Sequence, residues 1–199
     1  MKQNKTTIWI FAIMLIVTCA YRVLDIWQIR PAGFTPYISM ALFGGAMIKD
    51  KRLGIILPLF CLLLSDVVYE TLYQNGIGHT PGFYKGQWVS YLLFAIIACF
   101  GILMKKANVI RVVGFTVSSS VFFFLASNFM VWNAGGGFGR PHTFNGLMLC
   151  YGDALAFYRD YGLIHGFIAN QLIGDLFFAG VLFGGFYLLR RFALKPQLA

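Results

Sequence analysis

Charge is what this chain of 199 residues has least of: Asp, Glu, Lys and Arg together make up 12% of it, about half the share found in ordinary soluble domains. That scarcity excludes a soluble globule. Hydrophobic residues reach 59% and aromatics 18%, and one core of this size cannot hide so much apolar surface. There is also no long polar stretch between the apolar segments, which excludes a second, separately folding unit and leaves one domain over residues 1–199. The four cysteines (Cys19, Cys61, Cys99, Cys150) lack metal-ligand spacing, which excludes a zinc module and a disulfide framework. Catalytic signatures are missing too. There is no His-Glu-x-x-His, no Gly-x-Ser-x-Gly and no glutamate pair in a span. The glycine run at 135–137 lacks the Lys-Ser/Thr of a phosphate loop. An enzyme is not expected.

What the chain does have is apolar segments long enough for lipid to serve as their solvent. Crossing about 30 Å of hydrocarbon takes roughly 20 residues. Spans are expected at 7–24, 34–48, 53–72, 87–104, 111–132 and 163–189. The second is the shortest and opens on Thr35-Pro36, where a proline in the first turn forfeits no needed donor. The first, preceded by Lys2 and Lys5, is read as a retained helix. Thr18 is a poor residue at a signal-peptide cut, and no small-x-small pattern follows it.

Six spans place the loops alternately on two sides, with eleven of the 16 basic residues on the side of the termini. Lys and Arg concentrate in cytoplasmic loops. The expectation is an all-α integral membrane protein, multi-pass, with both termini cytoplasmic. The net charge of +9 is thereby topological, and nucleic acid is not an expected partner. The other side carries all three histidines, most of the acids and the longest connection, 133–162. Function is expected to face outward.

Charged or polar groups within spans are costly unless they face protein, water or a partner. Asp66, Asn128 and Asn170 fall at about 9, 6 and 10 Å below the outer ends of their helices at 1.5 Å per residue. They form one polar layer, with Trp132 on the face of Asn128 and Glu70 on the face of Asp66. Such a layer suits a ligand with flat apolar area and hydrogen-bonding edges, or else bonds within itself across the bundle. Asp175 lies deeper, near Gly180 and Gly184, and reads as an interhelix contact or a proton acceptor.

Two outer loops contribute as well. The first, QNGIGHTPGFYKG over 74–86, holds His79 and Tyr84 among turn-forming residues. A lone histidine there is either an exposed polar residue or an axial ligand to a metal already held in a macrocycle. In the second, Thr143 caps a helix over 143–158 with Leu147, Tyr151, Leu155 and Tyr158 at helical spacing. This helix is expected as a lid over the cavity, bracketed by Arg140 and Arg159, which would hold an anionic or amide-rich ligand, with surface resting as the rival.

The stretches FTPYISMALFGGAMIKDKRLGIILPLFCLLLSD, SNFMVWN, HTFNGLMLCYGDALAFYRD and GDLFFAGVLFG resemble an uncharacterised family of bacterial six-span membrane proteins. That family in turn resembles the substrate-binding S-components of energy-coupling-factor (ECF) vitamin transporters. The resemblance implies a six-helix bundle that binds a vitamin at its outer face, and no intrinsic cofactor. Its solitary cobalamin branch implies cobalamin as bound substrate, with Asp66 and Tyr84 beside a cobalt whose axial ligand would be His79. An energising ECF module is an implied partner, although the first helix lacks an Ala-x-x-x-Ala patch and Gly44-Gly45-Ala46 would have to replace it. Asp66, His79, Tyr84, Asn128, Trp132, Arg159 and Asn170 are thus the expected ligand-binding residues for a small-molecule nutrient. The rival expectation is a proton-coupled secondary transporter working through Asp66 and Asp175.

Overall fold

A computed structural model of the protein describes residues 9, 12–14, 16–17, 20–21, 33–78, 81–135, 139–160 and 170–193. The described residues form helices α1 (Tyr37–Met47), α2 (Lys51–Gln74), α3 (Gln87–Leu103), α4 (Val109–Asn133), α5 (Phe144–Asp160), α6 (Asn170–Ala179) and α7 (Gly185–Ala193). A π-helical turn, Gly180–Gly184, joins α6 to α7. No strand occurs among the described residues. The eight described residues between 9 and 21 are helical as well.

Among the described residues, three helices are long and apolar enough to cross a membrane: Lys51–Gln74, Val109–Asn133 and the continuous run Gln171–Leu188. The other expected spans in the described region are shorter. Helix α1 has 11 residues and α3 has 17, about 16 and 26 Å. Side-chain caps set two of the helix starts. Asp50 Oδ1 accepts from the amides of Arg52 and Leu53 at 2.9 and 3.3 Å, and Asn108 Oδ1 accepts from Arg111 N at 2.9 Å. These occupy first-turn donors that have no partner inside a helix.

Helix α1 is the centre of the bundle. Ile38, Met40, Ala41, Leu42 and Phe43 are buried, with Met14, Cys61, Ile97, Ala98 and Leu182 closing around them. Glycine makes that packing close. A Cβ on Gly45 would overlap the Ala98 carbonyl, one on Gly101 the Leu42 carbonyl, and one on Gly44 the ring of Pro58. Backbones touch where small residues leave no side chain between them. Gly44 and Gly45 are therefore spent on packing inside the bundle. Gly180 and Gly184 behave in the opposite way. They are exposed, with nothing close to either among the described residues, and they border an apolar groove of about 580 Å³ with Val109, Val112 and Phe183.

The outer face of the bundle is apolar where a soluble protein would be charged. On α2, Ile56, Phe60, Leu63 and Val67 stand out at helical spacing, and on α4 Val113, Val121, Leu125 and Phe129 do the same. Such a contiguous stripe is covered by lipid or by protein.

Candidate functional site

At the outer end of α2, the loop after Gln74 folds back onto its own helix. Gly82 lies so close that a Cβ there would overlap the Asp66 carbonyl. The Glu70 carboxylate fixes the loop by accepting from Gly82 N at 2.8 Å and Phe83 N at 3.2 Å. Its other oxygen accepts from the Gln74 amide at 2.7 Å. Gly86, with φ of 87°, then turns the chain in the left-handed region into α3.

This turn places Gln87 over Asp66. Asp66 is 2% exposed, and its Oδ2 accepts from Gln87 Nε2 at 2.7 Å and from the Tyr91 hydroxyl one turn further along α3. The same Gln87 amide also donates to the Gly82 carbonyl at 3.2 Å, while its oxygen accepts from Tyr84 N at 3.3 Å. Gln87 is thus the clamp between the loop and the buried acid. The Tyr84 hydroxyl lies 3.3 Å from the Ser90 hydroxyl.

These side chains form one wall of a cleft of about 240 Å³. Thr35 and Tyr37, at the entry to α1, form another, and Gln171 of α6 closes it. Phe94 and Phe123 lie at its apolar side, stacked with centroids 5.1 Å apart and planes 13° from parallel. The cleft offers flat apolar area beside a carboxylate, two amides and several hydroxyls, the make-up of a small-molecule site.

Of the residues expected from sequence, Asp66 and Tyr84 line the cleft together. Asn128 and Trp132 do not. Asn128 Nδ2 donates to the Phe124 carbonyl in its own helix at 2.8 Å, and Trp132 Nε1 donates to the Pro141 carbonyl at 3.0 Å. His79 and the side chains of Arg159 and Asn170 lie outside the described residues. Gln87, Tyr91, Ser90, Thr35 and Gln171 escaped the sequence reading. A signal for two of them existed, since Gln87 and Tyr91 are a polar i,i+4 pair on an otherwise apolar span.

Helix α5 is placed differently from the expected lid. Thr143 caps it, its Oγ1 accepting from Gly146 N at 3.1 Å, but none of the α5 side chains described, up to Leu155, lines the cleft. Instead α5 descends along α4. His142 packs against Trp132 with centroids 5.1 Å apart, Cys150 Sγ reaches the Asn128 carbonyl, and the Tyr151 hydroxyl donates to the Leu125 carbonyl at 3.1 Å. Seven residues of α4 separate Trp132 from Leu125, a drop of about 10 Å. Burial of the Tyr151 phenol pushes its pKa up. Arg140, expected at a ligand, forms a two-pronged pair with Asp153 at 3.0 and 3.1 Å. The described part of the segment is a buttress, because His142, Cys150 and Tyr151 engage α4 and Arg140 engages Asp153.

One turn in from Gln171 on α6, Asp175 has no exposed surface. The Ser39 hydroxyl of α1 donates to its backbone carbonyl at 2.5 Å. No group of three or more His, Cys, Asp or Glu side chains suited to a metal occurs among the described residues.

A family model described as "Family of unknown function (DUF6580)" matches residues 2–198. No curated protein and no solved structure matches the chain.

Proposed function

The chain therefore belongs to that family, and from its own site we propose that it is a multi-pass membrane protein that binds a small organic nutrient at its outer face for uptake. The observation that carries this is the buried Asp66, held by Gln87 and Tyr91 at the wall of a cleft. An acid is worth burying there only if its partners keep it satisfied and something uses it. The skewed distribution of Lys and Arg supports cytoplasmic termini and an outward-facing cleft. Helices α1 and α3, with the helical residues between 9 and 21, would bring the crossings to six in a bundle of the S-component kind.

The size of the cleft narrows the ligand. About 240 Å³ falls below the roughly 300–1,000 Å³ of drug-sized ligand sites. The fit is to a compact solute with a flat ring, whose hydrogen-bond donors or positive charge would face Asp66. A corrinoid is far larger and would require the outer segments to part. Thermal unfolding of the purified protein against a panel of vitamins and heterocyclic amines tests the reading. A midpoint raised by one compound class in wild type and not in Asp66→Asn is expected. No response to any of them would overturn it. Cobalamin belongs on the panel, because a bound corrinoid announces itself by its absorption spectrum.

A second reading is a proton-coupled secondary transporter using Asp66 and Asp175. The full burial of Asp175 favours it. It predicts flux that follows the proton gradient and is abolished by Asp175→Asn, whereas uptake by a binding protein driven by a partner module would be independent of that gradient.

A further inference from the structure

Asp175 is a charge that the cleft does not use, and its surroundings are unusual for a membrane helix. Phe123 of α4 and Gln171 of α6 meet at the cleft, while Val112 of α4 meets Ala179, the last residue of α6, and Phe183 of the π-helical turn beyond it in the groove at the other end. The helices therefore run antiparallel in a fixed register. That register sets Ser119 and Ser120 level with Asp175, and Thr116 one turn further in. The Ser120 hydroxyl is the one that approaches the carboxylate.

Thr116, Ser119 and Asp175 have no exposed surface, and Ser120 is 5% exposed. Hydroxyls in helices ordinarily bond back to the carbonyl one turn earlier. Among the described residues, the Thr116 and Ser119 hydroxyls and both carboxylate oxygens of Asp175 have no hydrogen-bond partner. Leaving one such buried group unsatisfied costs about 1–3 kcal/mol, and more when it is charged. Here four such oxygens lie within about one helical turn of the same depth.

We infer that Asp175, Ser119, Ser120 and the adjacent Thr116 form a binding site for a dehydrated monovalent cation, sodium, one helical turn beneath the solute cleft. The donors are carboxylate and hydroxyl oxygens, which suit hard cations. Charge counting fixes the valence. There is no basic side chain on α1 or α6, and the one on α4 is Arg111 in its first turn. One carboxylate balances one positive charge, whereas a divalent ion would leave a net charge buried. A proton would neutralise the carboxylate but leave Thr116 and Ser119 unused. A cation engages them together.

Position gives the site a role. Gln171 and Asp175 lie at i,i+4 on one face of α6, and Gln171 lines the cleft. An ion that draws Asp175 toward α4 sets the placement of Gln171 above it, so ion and solute bind cooperatively. This coupling rests on the cleft being a solute site. The ion site does not, and it is tested without any solute.

The experiment measures equilibrium binding of radioactive sodium to the purified full-length protein, with choline replacing sodium at constant ionic strength. Saturable binding of one ion per chain is expected, lost in Asp175→Asn and weakened about tenfold or more in Ser119→Ala/Ser120→Ala. The double variant keeps the carboxylate and carries the test if Asp175→Asn does not fold. Absence of saturable binding to wild type, or binding unchanged in either variant, overturns the proposal. An infrared carboxylic-acid band that Asp175→Asn removes, persisting at saturating sodium, would show a proton in place of the ion and overturns it equally.

Discussion

Gln171 and Asp175 stand one turn apart on the same face of α6, the first at the edge of the cleft and the second sealed beneath it with no exposed surface. The cleft above is held by a hydrogen-bonded clamp and the layer below by unspent oxygens. The two call for different perturbations.

Removing the Asp66 carboxylate should hurt more than reshaping it. Asp66→Ala leaves the Gln87 amide and the Tyr91 hydroxyl without their shared acceptor, at about 1–3 kcal/mol for a buried group so orphaned. Asp66→Asn keeps an oxygen in place and should cost less. Chemical unfolding of both variants in detergent checks the order. An equal loss in the two would show that the clamp contributes little.

Glycine substitutions should divide sharply. Gly45→Ala and Gly101→Ala put a methyl into a neighbouring backbone carbonyl, and overpacking of that kind costs at least about 1–3 kcal/mol. Gly114 has nothing near it, so Gly114→Ala should be neutral or stabilise by about 0.5–1 kcal/mol through lower backbone entropy in the unfolded chain. Yields of monodisperse protein and unfolding midpoints would show the contrast.

Glu70 should act as a fastener of the loop. Glu70→Ala releases the amides of Gly82 and Phe83, and tryptic cleavage after the exposed Lys85 should accelerate several-fold as the local opening energy falls by about 1–3 kcal/mol. Unchanged cleavage kinetics would mean that the Gly82 contact with α2 holds the loop unaided.

The Arg140–Asp153 pair is two-pronged, but its side chains are 36% and 29% exposed. A double-mutant cycle should give a coupling of about 0.5–1 kcal/mol, diminished by salt. A larger, salt-insensitive value would place the pair in a drier setting than its exposure implies.

Helix type and the positions of the long apolar segments were legible in the sequence, because hydrophobic run length is a strong signal and Pro36 and Thr143 punctuate it, whereas the capping by Asp50 and Asn108 emerged only in the fold. That Asp66 and Tyr84 line the cleft was legible for Asp66 as a charge in a span and for Tyr84 through the family resemblance. Gln87 was not. Its role depends on a chain reversal at Gly86 that brings it over α2, and no local pattern encodes that contact. Asn128 and Trp132 pointed to the right depth but not the right direction. Depth follows from counting residues along one helix, whereas direction depends on which neighbour occupies each face, and α5 had been placed over the cleft rather than along α4. Asp175 was visible as a buried acid, while its hydroxyl neighbours needed the antiparallel register of α4 and α6.

The glycine contacts of α1 also govern motion. With backbone against backbone at Gly44, Gly45 and Gly101, α1 has no clearance to slide past α2 or α3, and close-packed interfaces do not deform continuously. The three helices are a chassis that moves as one piece and carries Asp66, Gln87 and Tyr91 with it. Any widening that admits or releases a solute must come from the opposite wall, where Phe123 and Gln171 ride on α4 and α6. On that wall, α6 departs from a regular helix at the π-helical turn Gly180–Gly184.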